Sequence, residues 1–214
     1  IKGIYIECNG ISAGTASLYE IRKALSDFKN ESGKFIYAYG DNILQADYYL
    51  ASVADSFYVN TIGSIDLRGL AVSIPFYKNL LDKIGVEMQI VRVGTFKSAV
   101  EPYILTEISE ANKLQYETFI NNIWGNMADD IFSSRGIKPW RLNEMTDSII
   151  FLQETKYLVT NNLVDGSCYK HQFDDMLKMA VHGNTDTDVN FISPGDMARE
   201  QPAGSSNNTI AIVY

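Results

Sequence analysis

The residues in this chain best suited to chemistry lie in one run, Gly94-Thr95-Phe96-Lys97-Ser98-Ala99-Val100-Glu101-Pro102. A lysine amine has two uses: protonated it is a point charge for a phosphate, and neutral it is a general base. The phosphate-binding loop needs a glycine immediately before its lysine and another five residues earlier. Those positions hold Phe96 and Val91, which excludes it. A base role is chemically open, but an exposed ammonium has a pKa of ~10.4 and stays protonated at neutral pH. Burial disfavours the charged form and tunes catalytic lysines to roughly 7–8, so a basic Lys97 must be desolvated. Thr95 and Ser98 carry hydroxyls that either orient the amine or make ordinary turn hydrogen bonds. Glu101 would hold Lys97 protonated if the two paired. Four residues of loop do not establish that contact, and Glu101-Pro102 reads as structural, with Pro102 fixing the exit from the loop. Spacing by itself does not separate a catalytic lysine from a solvated one.

Other reactive side chains form no comparable pattern. His171 and His182 fall near Asp174 and Asp175, but no serine sits in a recognisable nucleophile turn, so they read as surface or helix-end histidines. Cys8 and Cys168 lack the CxxC or Cys/His spacing of a zinc site. They are read as buried or spectator thiols, and spacing leaves a disulfide between them open. The net charge of -8, with no Lys/Arg cluster interleaved with aromatics, argues against nucleic acid as a partner.

The elements that must position Lys97 alternate at short spacing. A strand over 2–8 leads through a Gly/Ser turn, Asn9 to Gly14, into a helix with Leu18, Ile21, Leu25 and Phe28 on one face, stopped by Gly33. A strand from Phe35 to Tyr39 passes through Gly40-Asp41-Asn42 into a helix bearing Tyr48, Tyr49, Leu50, Val53 and Ala54, and a strand from Ser56 to Asn60 follows. Such alternation is the mark of parallel crossovers, and the class is α/β. Further on the pattern predicts a β-rich stretch to Val72, a helix from Pro75 to Ile84 and a strand from Met88 to Val93. A long helix follows over 109–135, capped by Ser109, ended by Gly136 and striped with Leu114, Phe119, Ile123, Met127 and Ile131; a stripe this long suits packing against a neighbouring half or subunit. Short helices fit 141–145, 153–161 and 173–181, with Val164-Asp165-Gly166 as a tight connection. Residues 184–208 are polar, hold Pro194, Gly195, Pro202 and Gly204, and read as a linker before a strand over 209–214.

At 214 residues and 46% hydrophobic content, one substantial domain is expected. No apolar stretch approaches the roughly 18–20 residues that span a bilayer, and the start lacks a basic segment leading into an apolar one, so the chain as given reads as soluble. It opens in a strand without an initiator Met and closes in another, which reads as an excised piece of a longer protein.

The run Gly94 to Pro102 resembles the lysine motif of the signal peptide peptidase A family, the peptidase family of protease IV, whose fold is of the ClpP/crotonase type. A second segment, Tyr39-Gly40 followed by Gln45-Ala46-Asp47-Tyr48-Tyr49-Leu50-Ala51-Ser52-Val53-Ala54-Asp55, resembles the stretch that in catalytic halves reads Ser-Gly-Gly-Tyr-Tyr, an aliphatic residue, Ala-Ser and later Ala-Asp. By that comparison Gln45 stands at the nucleophile position, and an amide cannot attack a carbonyl. Active halves also carry a Pro-Gly-Gly type turn whose backbone N–H groups help form the oxyanion hole. The turn Asn9 to Gly14 lacks that pattern, which implies no hole in this half.

The resemblance spans roughly residues 2–182 and again 209–214, and fits the long form in which two related halves are fused. It implies a ClpP/crotonase-like spiral of βαβ units with a mostly parallel sheet and a helical C-terminal extension: residues 1–183 as the N-terminal half, 184–208 as linker and 209–214 as the first strand of the next half. It implies a Ser/Lys-dyad endopeptidase degrading cleaved signal peptides, with Lys97 as general base, the serine in the absent C-terminal half, and this fragment inactive alone. Implied partners are peptides, that second half and like copies in a homo-tetramer. The implied setting is the periplasmic face of the inner membrane, with the anchor outside this chain. No metal or organic cofactor is implied. The other readings are a non-catalytic assembly module of crotonase fold, and an acyl-CoA enzyme of crotonase type, for which no CoA-binding feature is recognised.

Overall fold

The computed structural model describes residues 1–91, 94 and 96–200, the last of these by its backbone alone. They divide into two compact units, Ile1–Phe173 and a second from Asp174 onward. The division falls inside a helix, upstream of the 184–208 segment read as the linker.

The first unit is built on β1 (Gly3–Glu7), α1 (Thr15–Ser32), β2 (Phe35–Leu44), α2 (Gln45–Ala51) and β3 (Ser56–Asp66). Then come α3 (Lys78–Lys83), α4 (Glu101–Ile104), α5 (Glu110–Arg135), α6 (Pro139–Asp147), α7 (Thr155–Thr160) and a short β4 (Gly166–Ser167). The strands lie in the order β1-β2-β3-β4, every neighbouring pair parallel, as the crossover pattern predicts. The α/β class therefore stands.

Strand alternation sorts the sheet's two faces. Ile36, Ala38, Phe57 and Val59 are fully buried on one face, with Leu50, Met127, Ile131, Leu142 and Leu158 in the same core. On the other, Tyr5, Tyr37, Tyr39 and Tyr58 gather around Phe173, whose ring centroid lies 5.5, 6.4, 4.9 and 6.2 Å from theirs. Sheets covered on both faces are the rule when strands run parallel.

The strands outrun their sequence-based limits. Gly40-Asp41-Asn42, read as a turn, lies within β2: Gly40 pairs with Val59 and Asn42 with Ser64, so the ladder slips at Asp41 and continues to Leu44 and Asp66. Such a bulge re-aims the chain without ending the strand. Gly40 is required there, because a Cβ would lie 2.7 Å from both Cys8 Cβ and Ile43 Cγ1.

Residues 67–108 depart furthest from expectation. The Pro75–Ile84 helix shrinks to α3, whose N-cap Tyr77 donates its N–H to Pro102 O at 2.7 Å. Met88 to Val91 form no strand; Val91 is 95% exposed and meets no partner strand, while Arg92 and Val93 lie outside the described residues. An apolar run is a strand only where an edge accepts it. In α5 the cap works as read, with Ser109 Oγ accepting from Asn112 N at 3.2 Å and Gly136 ending the helix at φ 69°. The stripe divides, however. Met127, Ala128 and Ile131 are buried, whereas Leu114 and Phe119 are 58% and 63% exposed.

Helix α8 (Lys170–His182) crosses the division between units, and α9 (Pro194–Glu200) lies in the segment expected to be linker. The strand expected over 209–214 lies outside the described residues. Among the described residues no helix is long and apolar enough to cross a membrane.

Candidate active site

Lys97 follows Gly94, whose φ of 95° is left-handed, and precedes a single 3-10 turn, Ser98–Val100. Its own N–H closes the loop weakly on Gly94 O at 3.5 Å. The Lys97 side chain is exposed, and no carboxylate among the described residues pairs with it. Ser98 is half-buried, and no hydrogen bond links it to the Lys97 amine; Thr95 lies outside the described residues. Phe96, Leu80, Ile84 and Tyr103 in the surrounding arm are 55, 56, 62 and 41% exposed. In this chain, then, Lys97 is exposed, and its loop and the α3–α4 segment carry uncovered apolar side chains.

Glu101 does not face Lys97. It is fully buried, and its carboxylate accepts from Ser109 N at 3.2 Å, Ser109 Oγ at 2.6 Å and Asn112 Nδ2 at 3.0 Å. Charge-assisted bonds of this kind are about twice as strong as neutral ones. The exit of the lysine loop is thus pinned to the start of α5, and Tyr77 stacked on Tyr103 at 6.0 Å ties α3 to α4.

Gln45 opens α2, and its amide is engaged through both its oxygen and its nitrogen. Oε1 accepts from Arg68 N at 3.0 Å and Gly69 N at 2.9 Å, while Nε2 donates to Gly69 O at 3.1 Å. This side chain mimics a peptide group and fastens the chain leaving β3. No hydrogen bond joins Gln45 to Lys97.

Two residues along α2, Asp47 is 1% exposed and accepts from the Gly10 and Ile11 amides. Sequence reasoning missed it. The available signal was a lone carboxylate in the otherwise apolar Tyr-Tyr-Leu-Ala helix, where a buried charge demands donors. Cys8 lies close by, and burial, then the Asp47 and Glu7 carboxylates, push its thiol well above the usual range. No disulfide joins Cys8 and Cys168. His171 stacks on Tyr169 with centroids 6.1 Å apart.

A cleft of ≈ 420 Å³ lies between α1 and α5, lined by Arg22, Lys23, Lys29, Asp130 and Ser134 among others. Its cations are committed: Lys23 to Asp27 at 2.6 Å, Lys29 to Asp55 at 2.7 Å. Arg22, 4% exposed, donates to Tyr49 O, to Ser52 Oγ at 2.8 Å, to Asp130 O at 2.8 Å and to Ser134 Oγ at 2.7 Å. That arrangement is a buried junction of α1, α2 and α5. No group of three or more His, Cys, Asp or Glu among the described residues is placed to hold a metal.

The sequence pattern of peptidase family S49 matches residues 28–181, a span that contains α2, Gln45 and the whole lysine loop. The chain belongs to peptidase family S49. The S49 chain is 34% identical over 211 residues to "Protease 4" of Haemophilus influenzae, covering 94% of this chain and 34% of that protein. It is 33% identical over 222 residues to "Protease 4" of Salmonella typhi, covering 100% of this chain and 36% of that one. With "Serine protease SPPA, chloroplastic" of Arabidopsis thaliana it shares 28% identity over 178 residues, 83% of this chain and 26% of the plant protein. The S49 chain thus spans about a third of the length of the bacterial relatives it matches.

Proposed function

We propose that this chain is the lysine-bearing half of an SppA-type serine peptidase, with Lys97 the general base for a serine supplied by another part of the parent protein. The observation that carries this reading is the state of Gln45. The position that resembles the nucleophile holds an amide whose donor and acceptor are both spent on the backbone of Arg68 and Gly69. Lys97 supplies the complementary argument: it is exposed here, next to the uncovered Phe96 in its own loop, and a lysine serves as a base only where a second body desolvates it.

With that cover in place the steps follow from the chemistry of an amine and a hydroxyl. Neutral Lys97 Nζ takes the serine proton as the oxygen attacks the scissile carbonyl, then returns it to the departing amine. An acyl-enzyme remains, and water, deprotonated by the same amine, releases it. Ser98 and Thr95 are proposed to orient the amine. Cleaved signal peptides are the proposed substrate class, and assembly with a second half and with like copies, in a parent anchored at the periplasmic face of the inner membrane, is the proposed setting.

A serine-directed fluorophosphonate tests the division of labour. The isolated chain is expected to take up no label while the full-length parent labels at a serine outside this segment. Stoichiometric labelling of the isolated chain would overturn the proposal.

A further inference from the structure

We propose that the turn after β1 is a built carboxylate site whose ligand is the chain's own Asp47 side chain. Two consecutive amides converge on one carboxylate, Gly10 N on Oδ2 at 3.1 Å and Ile11 N on Oδ1 at 3.0 Å. Gly10 has a φ of 89°, the left-handed conformation that turns successive N–H groups toward one point and makes an anion-binding concavity. The ligand group is 1% exposed, and no cation among the described residues lies within ion-pair distance of it. The turn's backbone donors therefore satisfy a buried charge that reaches them from 36 and 37 residues away.

The arrangement has a consequence at the ends of the parallel strands, where β1 and β2 feed α1 and α2. The donors that would receive a carbonyl oxygen or a peptide carboxylate from outside are already filled by Asp47. Next to it Gln45 holds the chain leaving β3 against the start of α2. The two side chains occupy these backbone donors from within the chain. Asp47 is thus a positioning residue for the turn, and the site takes a small carboxylate from solution only when Asp47 is shortened. This inference is independent of the role given to Lys97.

The test is chemical rescue of Asp47→Ala in the full chain, with sodium formate as probe and sodium chloride at matched ionic strength as control. The variant is expected to melt below wild type, and formate, but not chloride, is expected to raise its melting temperature saturably while leaving wild type unmoved. A variant that melts like wild type, or that responds to formate no more than wild type does, overturns the proposal. If Asp47→Ala does not fold, Asp47→Asn retains the shape and weakens the acceptor. Amide exchange at Gly10 and Ile11 is then expected to accelerate roughly tenfold relative to β1, the factor for losing about one net hydrogen bond. Unchanged exchange at both amides refutes the site.

Discussion

Replacing Glu101 should loosen the arm that carries Lys97, because this carboxylate ties the end of the lysine loop to the first turn of α5. It is fully buried and accepts from Ser109 N, Ser109 Oγ and Asn112 Nδ2. Hydrogen bonds to a charged group contribute ~1.5–3 kcal/mol each. Their sum overstates the loss. Ser109 is only half-buried and recovers water once the carboxylate is gone, and the variant escapes the cost of burying a charge. Asn112 is 3% exposed and cannot recover its partner. An orphaned buried donor costs ~1–3 kcal/mol, and with the disturbed Ser109 cap the expected loss for Glu101→Ala is about 2–4 kcal/mol. Glu101→Gln keeps the shape and one carbonyl acceptor but turns an NH2 toward other donors, and should cost about 1–2 kcal/mol. Urea unfolding of both variants, with amide exchange at residues 110–115, measures this. Stabilities within about 0.5 kcal/mol of wild type, the range of ordinary surface substitutions, with unchanged exchange at the start of α5, would refute the reasoning.

Arg22→Ala removes a buried guanidinium from Tyr49 O, Ser52 Oγ, Asp130 O and Ser134 Oγ and, by orphaning these acceptors, should destabilise the first unit by about 2–4 kcal/mol in urea or thermal unfolding. A loss below about 1 kcal/mol would show the junction to be dispensable. Cys8, 2% exposed with its thiol pushed up by burial and by Asp47, should react with a thiol reagent only as the protein opens, well after the half-buried Cys168. Equal labelling rates for the two cysteines in the folded protein would contradict the packing around β1.

The parallel sheet was legible in the sequence because each strand up to Asn60 is short, apolar and separated from the next by a helical period and a glycine. Gly33 and Gly136 end α1 and α5 as read, each with φ > 0. What the pattern hid were features set by tertiary context. Asp41 looks like a turn residue because a bulge and a turn share the same local composition. Met88 to Val91 look like a strand because periodicity reports apolarity, not the presence of an edge to pair with. The exposed Leu114 and Phe119 belong to the same stripe as the buried Met127 and Ile131, and no local signal says where the core stops. Lys97 was singled out by its motif's resemblance rather than by spacing. Asp47 escaped because its donors are backbone groups 36 and 37 residues away, which leave no mark in the sequence. Glu101 reads as structural, but its partners Ser109 and Asn112 are not foreseen from the sequence.

Lys97 in the full-length parent is the decisive residue. Lys97→Ala and Lys97→Arg, each shown by circular dichroism and thermal melting to fold as wild type, are to be assayed for peptide turnover. Both are expected to lower kcat by at least about two to four orders of magnitude, the usual scale of a general base, with KM little changed. Arginine is expected to fail with alanine because it keeps the charge but cannot give up its proton. Turnover near wild type in either folded variant would contradict the assignment of Lys97 as the base.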